Sequence, residues 1–256
     1  MKILSVGDLI GEIGLNKARE TIEKIRKEEN IDFIIVNGEN VAEGMGITLK
    51  NFNTIISMGA NVVTMGNHTW AKKDIFNFID NEKLIRPANY PEGVPGKGYV
   101  VCKCKNKKIA VINLIGRTEM GIATENPFII GKKIAEELKK EVDIIVVDFH
   151  AEATAEKIAM GNYLDGIATI VYGTHTHVQT ADDRILPEGT AYITDIGMTG
   201  PKNSVIGMDI NASLKRFVTT LPERYKMATG ECIFNGCIFD IDDETCQVNK
   251  ITRIYL

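Results

Sequence analysis

All four histidines of this chain, His68, His150, His175 and His177, lie just past an apolar run that reads as a β-strand. Acids and amides recur at matching points. Asp8 follows Lys2–Val6, Glu39-Asn40 follows Asp32–Val36, and Asn67-His68 follows Asn61–Met65. His150 comes after Asp143–Val147, and His175-x-His177 after Ile167–Tyr172. In open α/β sheets, ligands bind in the crevice beyond the carboxyl ends of the strands. A lone histidine at a strand end is more often a hydrogen-bonded loop residue, and a lone aspartate is often a helix N-cap. The joint placement of every imidazole in the chain is not explained that way. It points to one shared metal site.

Between these runs lie segments of helical periodicity: Leu15–Glu28 (apolar at Leu15, Ala18, Ile22 and Ile25), Leu49–Met58, Lys72–Ile79, Gly131–Lys140 and Glu152–Met160. Repeating strand–helix units of about 30 residues predict parallel β-α-β packing and an α/β fold. Tyr99–Cys104 and Lys108–Leu114 read as an antiparallel pair, and Glu231–Asp240 with Gln247–Tyr255 as a terminal hairpin around Asp242-Asp243. Thr190–Thr194 reads as another strand and Asn211–Phe217 as a short helix. Arg117–Phe128 and the glycine-rich Gly197–Gly207 read as loops. With no linker or repeat, residues 1–256 are expected to form a single domain, with an insertion rimming the site near 197–230.

Composition excludes several classes. A net charge of −4 gives no basic footprint for long nucleic acids, although a small anionic substrate remains compatible with local positive charge. The most apolar runs are too short to span a bilayer, and Lys2–Val6 reads as a strand rather than a signal peptide. Five irregularly spaced cysteines suit neither a disulfide framework nor a structural zinc site, so a cytoplasmic protein is expected. The sequence is also compatible with a homo-oligomer.

Asp, Glu, Asn and His offer oxygen and imidazole nitrogen without thiolate. That set suits manganese, iron or zinc, as divalent or mixed-valence ions. Glu39 is the candidate bridge between two ions, with His175 and His177, two apart in an extended segment, pointing one to each. Two ions about 3.5–4 Å apart suit phosphoryl chemistry, in which a hydroxide held between them attacks phosphorus. Asn67 can ligate through its amide oxygen, leaving its neighbour His68 to protonate or stabilise the leaving oxygen.

Gly66-Asn67-His68, His150 and Gly173-Thr174-His175-Thr176-His177 resemble the calcineurin-like metallophosphoesterases, whose blocks are D-x-H, G-D, G-N-H, H and G-H-x-H. Three departures stand out: Ile10 replaces the first histidine, Glu39 replaces an aspartate, and Thr174 is inserted after Gly173. With Asp8-Leu9-Ile10-Gly11, Val36-Asn37-Gly38-Glu39-Asn40 and Thr194-Asp195-Ile196-Gly197-Met198-Thr199-Gly200, the chain is similar to the YmdB-like bacterial phosphoesterases along nearly its whole length. The resemblance implies a sandwich of two mixed β-sheets flanked by helices. It implies one ion on Asp8, Glu39 and His177, with Asn40 beside it where Ile10 cannot bind. It implies a second ion on Glu39, Asn67, His150 and His175, and His68 as the catalytic histidine. It further implies hydrolysis of 2′,3′- and 3′,5′-cyclic nucleotides with iron or manganese.

Trp70 can stack on a base, but packing against the following helix is the favoured reading. Asp148 and Glu152 flank His150 and can orient imidazoles or remain solvated. Two rival functions stand: a phosphomonoesterase (nucleotidase or protein phosphatase), and a regulatory protein that binds metal or nucleotide without turnover.

Overall fold

The computed structural model describes residues 1–256, and its strands are built from runs whose neighbouring residues enter different cores. In chain order the first elements are β1 (Lys2–Val6), β2 (Asp8–Leu9), α1 (Gly11–Glu29), β3 (Phe33–Asn37), α2 (Leu49–Ser57), β4 (Val62–Thr64) and β5 (Leu84–Ile85). Next come β6 (Tyr99–Cys104), β7 (Lys107–Ile115), α3 (Pro127–Leu138), β8 (Ile144–His150), α4 (Thr154–Tyr163) and β9 (Ile170–Thr174). The chain ends with β10 (Arg184–Ile185), β11 (Ala191–Ile193), β12 (Met198–Pro201), α5 (Ile210–Thr219), β13 (Cys232–Ile233), β14 (Asn235–Ile241) and β15 (Val248–Tyr255).

Two six-stranded mixed sheets result, ordered β15-β14-β1-β3-β4-β5 and β10-β11-β9-β8-β7-β6. Ile3, Phe33, Ile35 and Val62 of the first sheet meet Ile109, Val111, Ile144 and Val146 of the second, forming the core between them. Their sequence neighbours face outward. Leu4, Ile34, Val36 and Val63 pack under Leu15, Ala18, Ile22 and Ile25 of α1 and Phe52 and Ile55 of α2. Ala110, Ile112, Ile145 and Val147 pack under Ala135 and Leu138 of α3 and Met160 of α4. Strands buried on both faces read as unbroken apolar runs, and the period-2 alternation assigns each residue to one core. Fully burying one such side chain contributes about 1.5–3 kcal/mol.

Several expectations are corrected. Lys72–Ile79 is no α-helix: only a 3₁₀ turn forms, at Lys73–Asn77. Trp70 stacks on Phe76 of that turn (5.5 Å between ring centroids) and packs against the core, but the helix it was expected to pack with is absent. Helix α3 begins earlier than expected, with Pro127 in its first turn and the Asn126 side chain accepting the Phe128 N–H. The glycine-rich stretch after 197 is not all loop. Met198–Pro201 is a strand that pairs parallel with β2 and antiparallel with β13, making a third, three-stranded sheet. This strand registers Met198 against Asp8, so it locates the first acid of the site. Helix α1 crosses it so closely that a Cβ on Gly14 would lie 2.2 Å from the Thr199 carbonyl oxygen.

Cys102 and Cys104 lie half-buried against the core between the sheets, and all five cysteines are free. No helix is long and apolar enough to cross a membrane. The corner between β9 and β11 is tied by Asp182, whose carboxylate accepts the Thr180 and Thr194 hydroxyls and the Thr194 N–H. Burial would raise its pKa, but these donors outweigh burial and hold it below the usual aspartate value. Its stabilisation is therefore fully present above the ordinary carboxylate pKa and is lost as pH falls through the lower, folded-state value. Asp182→Asn should lower urea stability by a constant amount between about pH 5 and 7, a gap that closes below about pH 4.

Candidate metal centre

The carboxyl ends of parallel strands from both sheets open onto one crevice. Asp8 lies on β2, Glu39 and Asn40 follow β3, Asn67 and His68 follow β4, His150 ends β8, and His175 and His177 follow β9. All eight predicted residues meet there, although Asp8 and His175 are 167 positions apart. Asp8, Glu39 and His150 are fully buried. The histidine side chains at 68, 175 and 177 are partly exposed and line a cavity of about 490 Å³.

Glu39 is the hub. Its carboxylate lies 3.1 Å from His150 Nε2 and 3.5 Å from His68 Nδ1, and it accepts the His68 N–H at 3.0 Å. His150 Nε2 also faces Asn67 Oδ1 at 2.8 Å and His175 Nδ1 at 3.0 Å. Donor atoms of Glu39, His150 and His175 all fall within 4.8 Å of one another. Beside this group, His177 Nε2 is 3.8 Å from Asp8 Oδ1 and 3.2 Å from the Asn40 amide. The Asn40 amide nitrogen is 3.4 Å from Asp8 Oδ1, and its oxygen is 2.7 Å from His68 Nδ1. Ile10, at the position of the missing histidine, is buried with Met198 and Ile233 and offers no donor.

Each histidine of the inner set is held from behind. Thr174 Oγ1 gives its proton to Asp148 (2.7 Å), so toward His150 Nδ1 (3.0 Å) it can only accept, which places a His150 ring proton on Nδ1 and turns Nε2 toward Glu39 and Asn67. His175 Nε2 meets Glu152 Oε2 at 3.1 Å, and His177 Nδ1 donates to the Ile206 carbonyl at 2.9 Å. Three imidazoles thus turn one nitrogen inward and rest the other on an oxygen acceptor, the arrangement that orients metal-binding histidines. Thr174 escaped notice in the sequence, where it appeared only as an insertion.

Charge favours a cation here. Asp8 and Glu39 have no Lys or Arg within 4.0 Å; their charged partners are imidazoles. Burial raises the Glu39 pKa, but His150 and His68 more than reverse this and hold it at about 2. Burial pushes the Asp8 carboxyl up, opposed by His177 and His150. Burial also lowers His150, yet Glu39, Asp8 and Asp148 raise it to about 9. Burial and the neighbouring His150 lower His175 to about 3, so its lone pair stays available. Burial raises Asp148 to about 7 against the Thr64 and Thr174 hydroxyls. A Cβ on Gly66 would lie 2.4 Å from both Glu39 Oε2 and His150 Nε2, so the backbone leaves a space only between donor atoms. Buried carboxylates without Lys or Arg partners, imidazole nitrogens turned inward and this space fit metal ions, which would take the place of the imidazole proton on His150.

The segment bearing the last two histidines is not extended, as the sequence had suggested. His175 (φ 96°) and His177 (φ 64°) both have left-handed backbone, which costs about 1–3 kcal/mol at each non-glycine residue. They converge because the chain bends there, not because of strand alternation. The opposite wall of the cavity is apolar: Met45, Ile206, Met208, Tyr225 and Met227. Its base is tied where Met208 pairs with Met227. The sequence flagged this region only as an insertion, since isolated methionines carry no periodic signal.

The donor cluster, the family and the relatives together define a metallophosphoesterase, a class of hydrolase. The model of the family described as "YmdB-like protein" matches residues 4–254, and the chain belongs to that family. It is 50% identical to a Bacillus subtilis 2′,3′-cyclic-nucleotide 2′-phosphodiesterase, covering 100% of this chain and 97% of the relative. A crystal structure described as a novel phosphatase of Mycoplasma pneumoniae matches with TM-score 0.94 at 37% identity, covering 100% of this chain and 93% of the other. A Haemophilus influenzae NAD nucleotidase shares the fold alone, with TM-score 0.60 at 13% identity over 100% of this chain and 55% of its own.

Proposed function

We propose that this protein hydrolyses small phosphodiesters, 2′,3′-cyclic nucleotides foremost and 3′,5′-cyclic nucleotides as a second class, using two metal ions. The observation that carries this reading is the set of three imidazoles, each backed by an acceptor and aimed at buried carboxylates that no Lys or Arg neutralises. Asp8, Glu39 and His177 would hold one ion, and Glu39, Asn67, His150 and His175 the other. Half a turn of the Asn40 amide would present its oxygen to the first ion and its nitrogen to His68. Bound there, iron or manganese would neutralise phosphoryl charge and acidify a water as nucleophile.

The chain's own residues do the rest. His68, hydrogen-bonded through Nδ1 to Asn40, delivers a proton to the leaving oxygen. The apolar wall, which includes Tyr225, takes the base and ribose. No Lys or Arg lines the cavity; of its two exposed acids, Glu43 pairs with Lys72 at 2.9 Å and Glu152 rests on His175 at 3.1 Å. With no basic side chain lining the cavity, a diester, which carries one charge fewer, suits it better than a dianionic monoester. The name of the Bacillus subtilis relative supports the 2′,3′-cyclic nucleotides of this reading.

With Mn²⁺, bis-nitrophenyl phosphate should turn over at least about tenfold faster, by kcat/KM, than the mono-ester, a difference of 1.4 kcal/mol in transition-state binding. Rates on 2′,3′- and 3′,5′-cyclic AMP then rank the cyclic substrates. A monoester preference in this assay would overturn the diester reading.

A further inference from the structure

Behind His175-Thr176-His177 lies a buried ion pair that the proposed chemistry does not use. Lys157, from α4, is 1% exposed, and its ammonium donates to Asp195 Oδ2 at 2.7 Å and to Thr176 Oγ1 at 3.2 Å. Its stem passes over Gly173, where a Cβ would lie 2.9 Å from Lys157 Cδ. Asp195, fully buried after β11, accepts the Thr176 hydroxyl at 2.7 Å and the Thr176 N–H at 3.2 Å on the same oxygen. Its other oxygen accepts the Gly197 N–H at 2.8 Å. The Asp195 backbone is held in turn, its carbonyl accepting the Thr180 N–H at 3.0 Å.

We infer that Lys157, Asp195 and Thr176 form a positioning clamp that sets the affinity of both proposed metal ions by holding the bend that presents His175 and His177. The inference rests on the metal reading above. Thr176 is the residue between the two left-handed histidines, and both its N–H and its hydroxyl are fixed to one carboxylate oxygen. Left-handed backbone at histidine is held only where the surroundings over-determine it. A buried Lys–Asp pair adds little net stability, because desolvation offsets the attraction, but it can enforce one geometry. Since His175 faces His150 while His177 faces Asp8, releasing Thr176 disturbs both halves of the centre at once. Lys157, Thr176 and Asp195 touch neither the proposed nucleophile nor the leaving group, so they act through the histidines.

The test compares Mn²⁺ binding to the full-length protein and three variants, by equilibrium dialysis with metal analysis, alongside thermal melts of the metal-free forms. Thr176→Val and Lys157→Met should each weaken both Mn²⁺ sites by about 10–100-fold per folded molecule. Thr176→Ser, which keeps the hydroxyl, should bind within about threefold of wild type. A purely structural role would instead lower the metal-free melting temperature and leave affinity per folded molecule unchanged, and that result overturns the clamp. Loss of affinity in Thr176→Ser equal to that in Thr176→Val also overturns it. If Lys157→Met does not fold, the Thr176 pair decides alone. Failure of the wild type to bind Mn²⁺ would instead sink the metal reading itself, and the clamp with it.

Discussion

Gly66→Ala is expected to abolish metal binding and to lower kcat/KM on a cyclic nucleotide by at least about 10³-fold, more than loss of one catalytic hydrogen-bond donor. The new methyl carbon would stand 2.4 Å from Glu39 Oε2 and His150 Nε2, well inside van der Waals contact. Neither neighbour can retreat, because Glu39 also accepts the His68 N–H and His150 is fixed through Thr174 to Asp148. The backbone itself is no obstacle, since Gly66 is not among the residues with positive φ. The backbone can therefore keep its path, and the damage should appear as lost metal together with an overpacking cost of about 1–3 kcal/mol in stability. Metal analysis of the purified variant together with its circular dichroism spectrum checks this. Wild-type metal content would show that the space between these donors is not where an ion sits.

His68→Ala should have the opposite signature. The side chain is 31% exposed and lines the cavity, and its ring touches Asn40 and Glu39 without lying among the inner imidazoles. Its main-chain N–H, which holds Glu39 Oε2, survives the substitution. Metal content should stay at the wild-type level while kcat falls by about 10²–10⁴-fold, the range of general acid catalysis. The loss should shrink on a substrate with a good leaving group such as nitrophenolate, which needs no proton. An equal loss on nitrophenyl and nucleotide substrates would assign His68 to binding instead. Cellular effects that survive both substitutions would favour the regulatory alternative that needs no turnover.

The sheets and helices around the site were legible because burial leaves a periodic mark. Phe33–Val36 and Ile144–Val147 are apolar throughout and Ile3–Val6 is broken only by Ser5, as strands covered on both faces tend to be, and the Leu15–Glu28 segment repeats its apolar residues with a helical period. Lys72–Ile79 misled because five residues of mixed polarity fit a 3₁₀ turn as well as a helix. Met198–Pro201 escaped because a short strand of small residues has too little pattern to separate it from a glycine-rich loop.

By itself the sequence determined which residue types gather at the strand ends, and with them the donor chemistry of the site, because strand direction and polar termini are local properties of the chain. Only the tertiary structure decided which nitrogen of each imidazole faces inward. That choice rests on Thr174, Glu152, the Ile206 carbonyl and the Lys157–Asp195 pair, single hydrogen bonds formed with other segments of the chain. A hydrogen bond between residues distant in sequence has no period, and it exists only once packing has fixed two backbones to within a few tenths of an ångström.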